Sequence, residues 1–218
     1  QAGGYTETAY PFGGVLENLD TEKINEMAIS ELYTAFLNSI SSNYSGTQDS
    51  SISGIIDIMK ELKETPVSGR VSAEFNLEKL KSNPELDIKL QDGDEITIPE
   101  MLDHVYIYGE VSSQGTVKFQ ENKDYKHYID LKGGYAQNAD DRAVFVLQPN
   151  GETIRVNNAR NIFMSQGKNK IDIYPGSVIF VPRKTGNALV ATQAAQAYAA
   201  ILGNIGVSLA SLSVLKDW

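Results

Sequence analysis

Residues able to do chemistry are sparse in this chain. It holds two histidines, His104 and His127, and no cysteine in 218 residues, so thiol nucleophiles, thiolate metal sites and disulfides are excluded. Neither histidine has a second ligand at a metal-binding spacing. His104 is expected as a strand-edge residue and His127 on a surface helix. Asp92, Asp94 and Glu95 in "DGDEITIPE" open like a calcium loop, but the remaining loop ligands do not follow, and an ordinary turn is expected. Scattered carboxylates such as Asp140 and Asp141 could form a glycosidase pair. Adjacency in sequence does not set the separation such chemistry needs, so a solvated loop is expected there. The Gly-Gly pairs at 3–4 and 133–134 lack the lysine and hydroxyl of a phosphate loop, and no nucleophile elbow occurs. No catalytic, metal-binding or cofactor-binding residue is assigned, and the chain is expected not to be an enzyme.

The elements that would position any site come from a repeat. "GGYTETAYPFGGVL" from Gly3 returns as "GGYAQNADDRAVFVL" from Gly133, and "LQDGDEITIPE" (90–100) returns as "IYPGSVIFVPR" (173–183). Gly3 and Gly93 lie 90 residues apart and Gly133 and Gly176 only 43, so the first copy holds 47 extra residues. Within them, Ile24, Met27, Leu32, Phe36 and Ile40, then Ile52, Ile55, Ile56, Met59 and Leu62, follow helical spacing. This predicts a helical hairpin inserted at about 19–66, with Asp20 and Ser51 as N-caps and Pro66 beyond its end. The second copy predicts strands in "HVYIYGEV" and "GTVKFQ", a short helix in "DYKHYIDLKGG" capped by Asp124 and stopped at Gly133, strands "AVFVL" and "ETIRV" around an Asn150-Gly151 turn, and a last strand "SVIFVP". Residues 103–132 precede the Gly-Gly pair of the second copy, whereas only Gln1 and Ala2 precede that of the first. The opening stretch is therefore expected to be the middle of a module whose first strands and helix lie upstream. With 41% apolar and 22% charged residues the chain is expected to fold, and a net charge of -9 argues against nucleic acid as a partner.

"VYIYGEVSSQGTVKF", "YIDLKGGYAQNAD" and "IYPGSVIFVPR" resemble the soluble-ligand-binding β-grasp (SLBB) module of bacterial outer-membrane polysaccharide export proteins, the Wza-like family. "AGGYTETAYPFGGVL" and "LQDGDEITIPE" resemble the second half of an earlier module. Two positions depart from the family pattern: Ser177 stands where an acid usually follows Pro-Gly, although Asp94 keeps it in the first copy, and Lys132 replaces a small residue. The resemblance implies an α+β chain of tandem SLBB β-grasp modules followed by a long C-terminal amphipathic helix. The first module would span 1–102, truncated at its N-terminus and carrying the hairpin insertion; the second, complete, would span 103–184, and the helix 185–218.

Thr185 to Leu215 contains no charged residue. About 28 helical residues there would reach roughly 42 Å, against a hydrocarbon core of about 30 Å. Gln193, Gln196, Asn204, Ser208 and Ser211 fall on one stripe, with Tyr198, Ile201, Ile205, Leu209 and Leu212 on another, and Trp218 sits where an interfacial anchor belongs. A ring of such helices would turn the polar stripe to a water-filled lumen and the apolar stripe to lipid. A helix packed on a soluble body satisfies the same pattern. The resemblance favours the ring: a homo-oligomeric outer-membrane translocon with its modules in the periplasm, transporting capsular or extracellular polysaccharide and docking on an inner-membrane polysaccharide copolymerase. The alternative is a periplasmic adaptor that binds a glycan or partner and spans no membrane.

Overall fold

His104 to Gly109 alternates apolar residues and forms the strand around which the second half of the chain is built. The computed structural model describes residues 4–43, 60, 63, 67–156 and 171–184. Its larger sheet has five strands: β4 (His104–Gly109), β5 (Gly115–Lys118), β6 (Phe145–Leu147), β7 (Thr153–Arg155) and β8 (Val178–Val181), in the order β5-β4-β8-β6-β7. β4 and β8 run parallel and the other pairs antiparallel. The helix Tyr125–Leu131 supplies Tyr125, Tyr128 and Ile129 to the buried cluster, with Val105 and Ile107 from β4, Val146 from β6 and Ile179 and Val181 from β8. Each such side chain contributes about 1.5–3 kcal/mol when fully buried. Asp124 caps this helix by accepting from the His127 N–H at 3.0 Å, as expected. At its other end the Gly133 and Gly134 N–H groups reach back to the Asp130 and Ile129 carbonyls at 3.0 Å each, a closure that needs the left-handed φ of +86° found at Gly133. Tyr128 is fully buried, yet its hydroxyl donates to the Gln120 carbonyl and accepts from the Gln120 N–H, pinning the helix to the segment after β5.

The smaller sheet repeats part of this pattern bond for bond. It contains β1 (Val15–Glu17), β2 (Arg70–Val71) and β3 (Glu95–Thr97) in the order β2-β1-β3. Leu16 faces Ile96 and Val71, as Val146 faces Ile179 and Ile154. Equivalent positions lie 130 residues apart before β2 and 83 apart from β2 onward. The same shifts hold outside the strands: the Tyr10 N–H donates to the Pro99 carbonyl and the Asp140 N–H to that of Pro182, while the Met101 N–H donates to Thr8 and the Lys184 N–H to Asn138. The bridge Ala9↔Glu100 likewise matches Ala139↔Arg183. The extra residues fall in the hairpin connection, since β6 and β7 are joined by 148–152 and β1 and β2 by 18–69.

That connection opens with α1 (Leu19–Asn43). Its N-cap is Asn18, not the Asp20 expected from sequence: the Asn18 Oδ1 accepts from the Asp20 and Thr21 N–H groups, each at 3.0 Å. Asp20 instead lies in the first turn, where its charge favours the helix dipole. The face turned inward also differs from the apolar stripe. Ile29 is buried and Thr21, Asn25, Tyr33 and Leu37 are half-buried at four-residue spacing, whereas Ile24 and Met27 are exposed. The second helix of the expected hairpin, including its cap Ser51, lies largely outside the described residues; Lys63 places its ammonium 4.8 Å from the ring centre of Tyr33. A short helix α2 (Leu77–Ser82), capped by Asn76 and followed by a 3-10 turn at Pro84–Leu86, was not expected. The helix Tyr125–Leu131 is α3.

The departure at Ser177 has a structural cause. In the first copy Asp94 accepts from the Gln91 N–H at 2.8 Å and from the Asn18 side chain at 2.6 Å. At the equivalent place Ser177 Oγ accepts from the Tyr174 N–H at 3.0 Å and donates to Gln148 Oε1 at 2.7 Å. The shorter serine is matched by the longer glutamine, so the link is conserved in reach. Ser177 and Gln148 are buried whereas Asp94 is half-exposed, and burying a neutral hydroxyl costs far less than burying a carboxylate. Ser177→Ala is expected to lower stability by about 1–3 kcal/mol in urea unfolding, because it strands the Gln148 Oε1 and the Tyr174 N–H while the Gln148 amide keeps only its bond to the Asp172 carbonyl. Ser177→Asp is expected to destabilise more at pH 7 than at pH 4 relative to wild type, since a buried carboxyl is easier to keep when protonated.

Candidate functional site

The described residues bring no catalytic group together. His104 begins β4, an interior strand flanked by β5 and β8, so it sits at a strand end and not on an edge strand. His127 lies on α3 with Nε2 3.2 Å from Gln120 Oε1. Asp94 is tied into its turn as described above, and Asp140 accepts from the Arg142 N–H in a turn of its own. Among the described residues no group of His, Cys, Asp or Glu could hold a metal ion. A cleft of ≈ 180 Å³ opens beside the start of α1, where Glu17, Glu22 and Glu95 meet Ser68 and two glycines, Gly69 and Gly93. Glu17 and Glu95 face each other directly across β1 and β3, and the Ser68 hydroxyl donates to Glu17 at 2.9 Å. Like charges so placed repel. The residues lining the cleft are carboxylates, one amide, one hydroxyl tied to Glu17 and apolar or glycine positions, with no histidine, lysine or arginine among them.

The other constructed feature is the junction of the two repeats. Tyr10 and Phe12 sit at a 3-10 turn started by Pro11, which fixes the backbone at its first position. The Phe12 ring packs 4.5 Å from that of Tyr174, which stands in the turn before β8, and 6.0 Å from Tyr10. Burial, with Tyr174 nearby, pushes the Tyr10 hydroxyl up to about 12. Arg70 reaches from β2 to the β6–β7 turn, where its Nη2 donates to the Pro149 carbonyl at 2.9 Å. Burial pulls its guanidinium below the ordinary range, with Glu17 opposing the shift. Gly151 leaves the room: a Cβ there would lie 2.6 Å from the Arg70 Nε, and its φ of +86° independently disfavours any side chain. At the position equivalent to Arg70 in the second repeat stands Thr153, whose buried hydroxyl has no partner. These are positioning contacts, which hold one repeat against the other.

Sequence reasoning missed this junction. Asn150-Gly151 was legible as a turn, but nothing in the spacing of Arg70 announced that it would dock on that turn. The residues expected to line a pore (Gln193, Gln196, Asn204, Ser208 and Ser211), to face lipid (Tyr198, Ile201, Ile205, Leu209 and Leu212) and to anchor at the interface (Trp218) lie outside the described residues. Among the described residues no helix is long and apolar enough to cross a membrane.

Residues 104–157 match the SLBB domain family, a span that takes in β4, β5, α3, β6 and β7. Two curated relatives, both described as the polysialic acid transport protein KpsD of Escherichia coli, are 30% identical over 88 residues. The match covers 40% of this chain and 15% of the relative, so the chain spans a small part of that protein. The resemblance expected from sequence stands: the chain carries an SLBB domain within a mixed α+β structure and is similar to a polysaccharide export protein.

The junction yields a double-mutant test. Arg70→Ala is expected to cost about 1–3 kcal/mol and Gly151→Ala about 1–2 kcal/mol or more, read from urea midpoints. The double variant is expected to cost less than the sum, because removing the guanidinium also removes the clash with the new methyl group. Strict additivity would mean that the two residues do not meet in solution.

Proposed function

We propose that this chain is part of a subunit that exports a hydrophilic polysaccharide across the bacterial envelope and performs no covalent chemistry. The SLBB match over residues 104–157, together with 30% identity over 88 residues to part of a polysialic acid transport protein, carries this reading. The repetition of strand register and turn hydrogen bonds supports two tandem modules, 1–102 and 103–184, as does the occurrence of both within one α+β chain.

In this reading the modules stack as periplasmic rings of a homo-oligomer, and residues 185–218 form staves of an outer-membrane barrel. Gln193, Gln196, Asn204, Ser208 and Ser211 face its lumen, Tyr198, Ile201, Ile205, Leu209 and Leu212 face lipid, and Trp218 sits at the interface. The net charge of -9 makes the vestibule wall acidic and hydrated, which limits adhesion of an anionic polymer. Neutral amides and hydroxyls at the exit pose no charge barrier. α1, with Leu19, Ile24 and Met27 exposed along it, projects toward a neighbouring subunit or an inner-membrane polysaccharide copolymerase.

The test replaces Gln193, Gln196 and Asn204 with leucine in the producing strain. Surface polysaccharide is expected to fall at least tenfold while the periplasmic rings still assemble; undiminished export overturns the lumen assignment. Removing 185–218 is expected to release the protein from the outer membrane, and retention there with normal export would favour an adaptor.

A further inference from the structure

Lys132 departs from the family pattern, and in the first repeat its place is taken by Ala2. It follows α3 directly, and its N–H closes on the Ile129 carbonyl at 3.0 Å. A lysine at a helix C-terminus can turn its ammonium back onto the last carbonyls, where the negative end of the dipole lies. Here the side chain crosses instead to the β4–β5 turn, and Nζ is the atom nearest the place where Gly115 would carry a Cβ, at 3.4 Å.

Lys132 is half-buried, and its ammonium has no carboxylate or carbonyl partner among the described residues. Other cations of the second repeat do: Lys118 pairs with Asp103 at 3.4 Å, Arg142 with Asp140 at 3.6 Å and Arg183 with Glu110 at 2.7 Å. A cation that has given up part of its water without gaining a partner favours an anion supplied from outside. The surface beside it is open. Nothing lies within 4 Å of a Cβ placed on Gly134, and near Gly133 stands only Ser112, whose hydroxyl is already given to the Gly133 carbonyl at 2.9 Å. The turn also exposes Ser113, with its hydroxyl, and Gln114, whose amide donates to the Gly109 carbonyl and keeps its side-chain oxygen for another donor.

One cation among hydroxyl, amide and glycine positions suits a carboxylate carried on a sugar ring, whose hydroxyls find the polar groups alongside. The division of charge along the chain points the same way. Residues 103–184 hold eleven Lys and Arg against nine Asp and Glu, whereas 1–102 hold seven against eighteen. An anionic chain is repelled by the first repeat and not by the second.

We propose that Lys132 binds a carboxylate of an acidic polysaccharide on the shelf formed by the β4–β5 turn and Gly133-Gly134. The proposal rests on the export reading and adds to it the class of polymer and a point of contact. A single ion pair still open to water releases readily, as a polymer in transit requires.

Calorimetric titration of the purified protein with hexamers of sialic acid and of galacturonic acid, and with maltohexaose as their uncharged counterpart, tests it. At least one acidic hexamer is expected to bind tenfold or more tightly than maltohexaose. Lys132→Met, which keeps the stem and removes the charge, is expected to weaken that binding at least fivefold, and Lys132→Arg less than twofold. Lys118→Ala, which removes an exposed charge from the neighbouring strand, is expected to leave it within twofold. Binding of neither acidic hexamer, equal affinity for maltohexaose, or equal losses from Lys132→Met and Lys118→Ala would each overturn the proposal. So would a Lys132→Met variant that loses subunit association with its sugar affinity intact, the result if the lysine meets a carboxylate of a second copy. The titration reads binding without transport, so its failure leaves the export reading standing, and the leucine substitutions at Gln193, Gln196 and Asn204 test that reading alone.

Discussion

Each repeat depends on one long-range pairing, between the strand that follows the Gly-Gly pair and the strand that ends at proline. Leu16 with Ile96, and Val146 with Ile179, set the register from which the other bonds follow. A slip of one residue would turn Leu16 out of its core and Val146 out of the α3 cluster, which is why a buried face specifies register so strongly. The turns on either side repeat the same donors and acceptors because the register leaves them in the same places. The excursion between β1 and β2 can therefore lengthen without disturbing the sheet. Extending the 148–152 connection to the size of 18–69 adds roughly 2 kcal/mol of closure entropy, a cost the Asn18 cap and the burial of Ile29 can offset.

The two copies also separate what is architectural from what is local. The turn before the last strand must satisfy one backbone N–H and reach one amide side chain, and Asp94 with Asn18 does this as well as Ser177 with Gln148. Which pair is used follows from burial. Elsewhere the copies diverge in their packing: Gly14 stands where the second repeat has Val144, and the Phe75 ring occupies the space, close enough that a Cβ on Gly14 would collide with it. The first repeat thus assembles a small core of its own from Leu16 and Phe75, with the Tyr5 hydroxyl holding the Phe75 carbonyl at 2.7 Å.

The strands of the second copy were legible because period-two patterns and Gly or Pro stops mark them, and a recurring phrase fixes which segments of the first copy are equivalent; their order in the sheets is set by tertiary pairing and was not legible. The Asp124 cap and the Gly133 stop were legible for the same local reason. The start of α1 was misplaced by two residues, since Asp20 and Asn18 are both good caps and only the link to Asp94 favours Asn18. The inward face of α1 was not legible: its packing selects Thr21, Asn25 and Ile29, and leaves Ile24 and Met27, the better hydrophobes, outside. α2 escaped notice because a six-residue helix held by the Asn76 cap has too few turns to show a period. The junction was invisible for a different reason, since Arg70 and Gly151 are 81 positions apart and meet only through tertiary packing.

Arg70 meets a peptide carbonyl at that junction and not an acidic side chain. A carbonyl neither titrates nor attracts the swarm of mobile cations that weakens ion pairs in brine. The contact between the two repeats should therefore persist through osmotic shock or acidification of the surroundings, conditions under which a joint made of opposed charges would slacken.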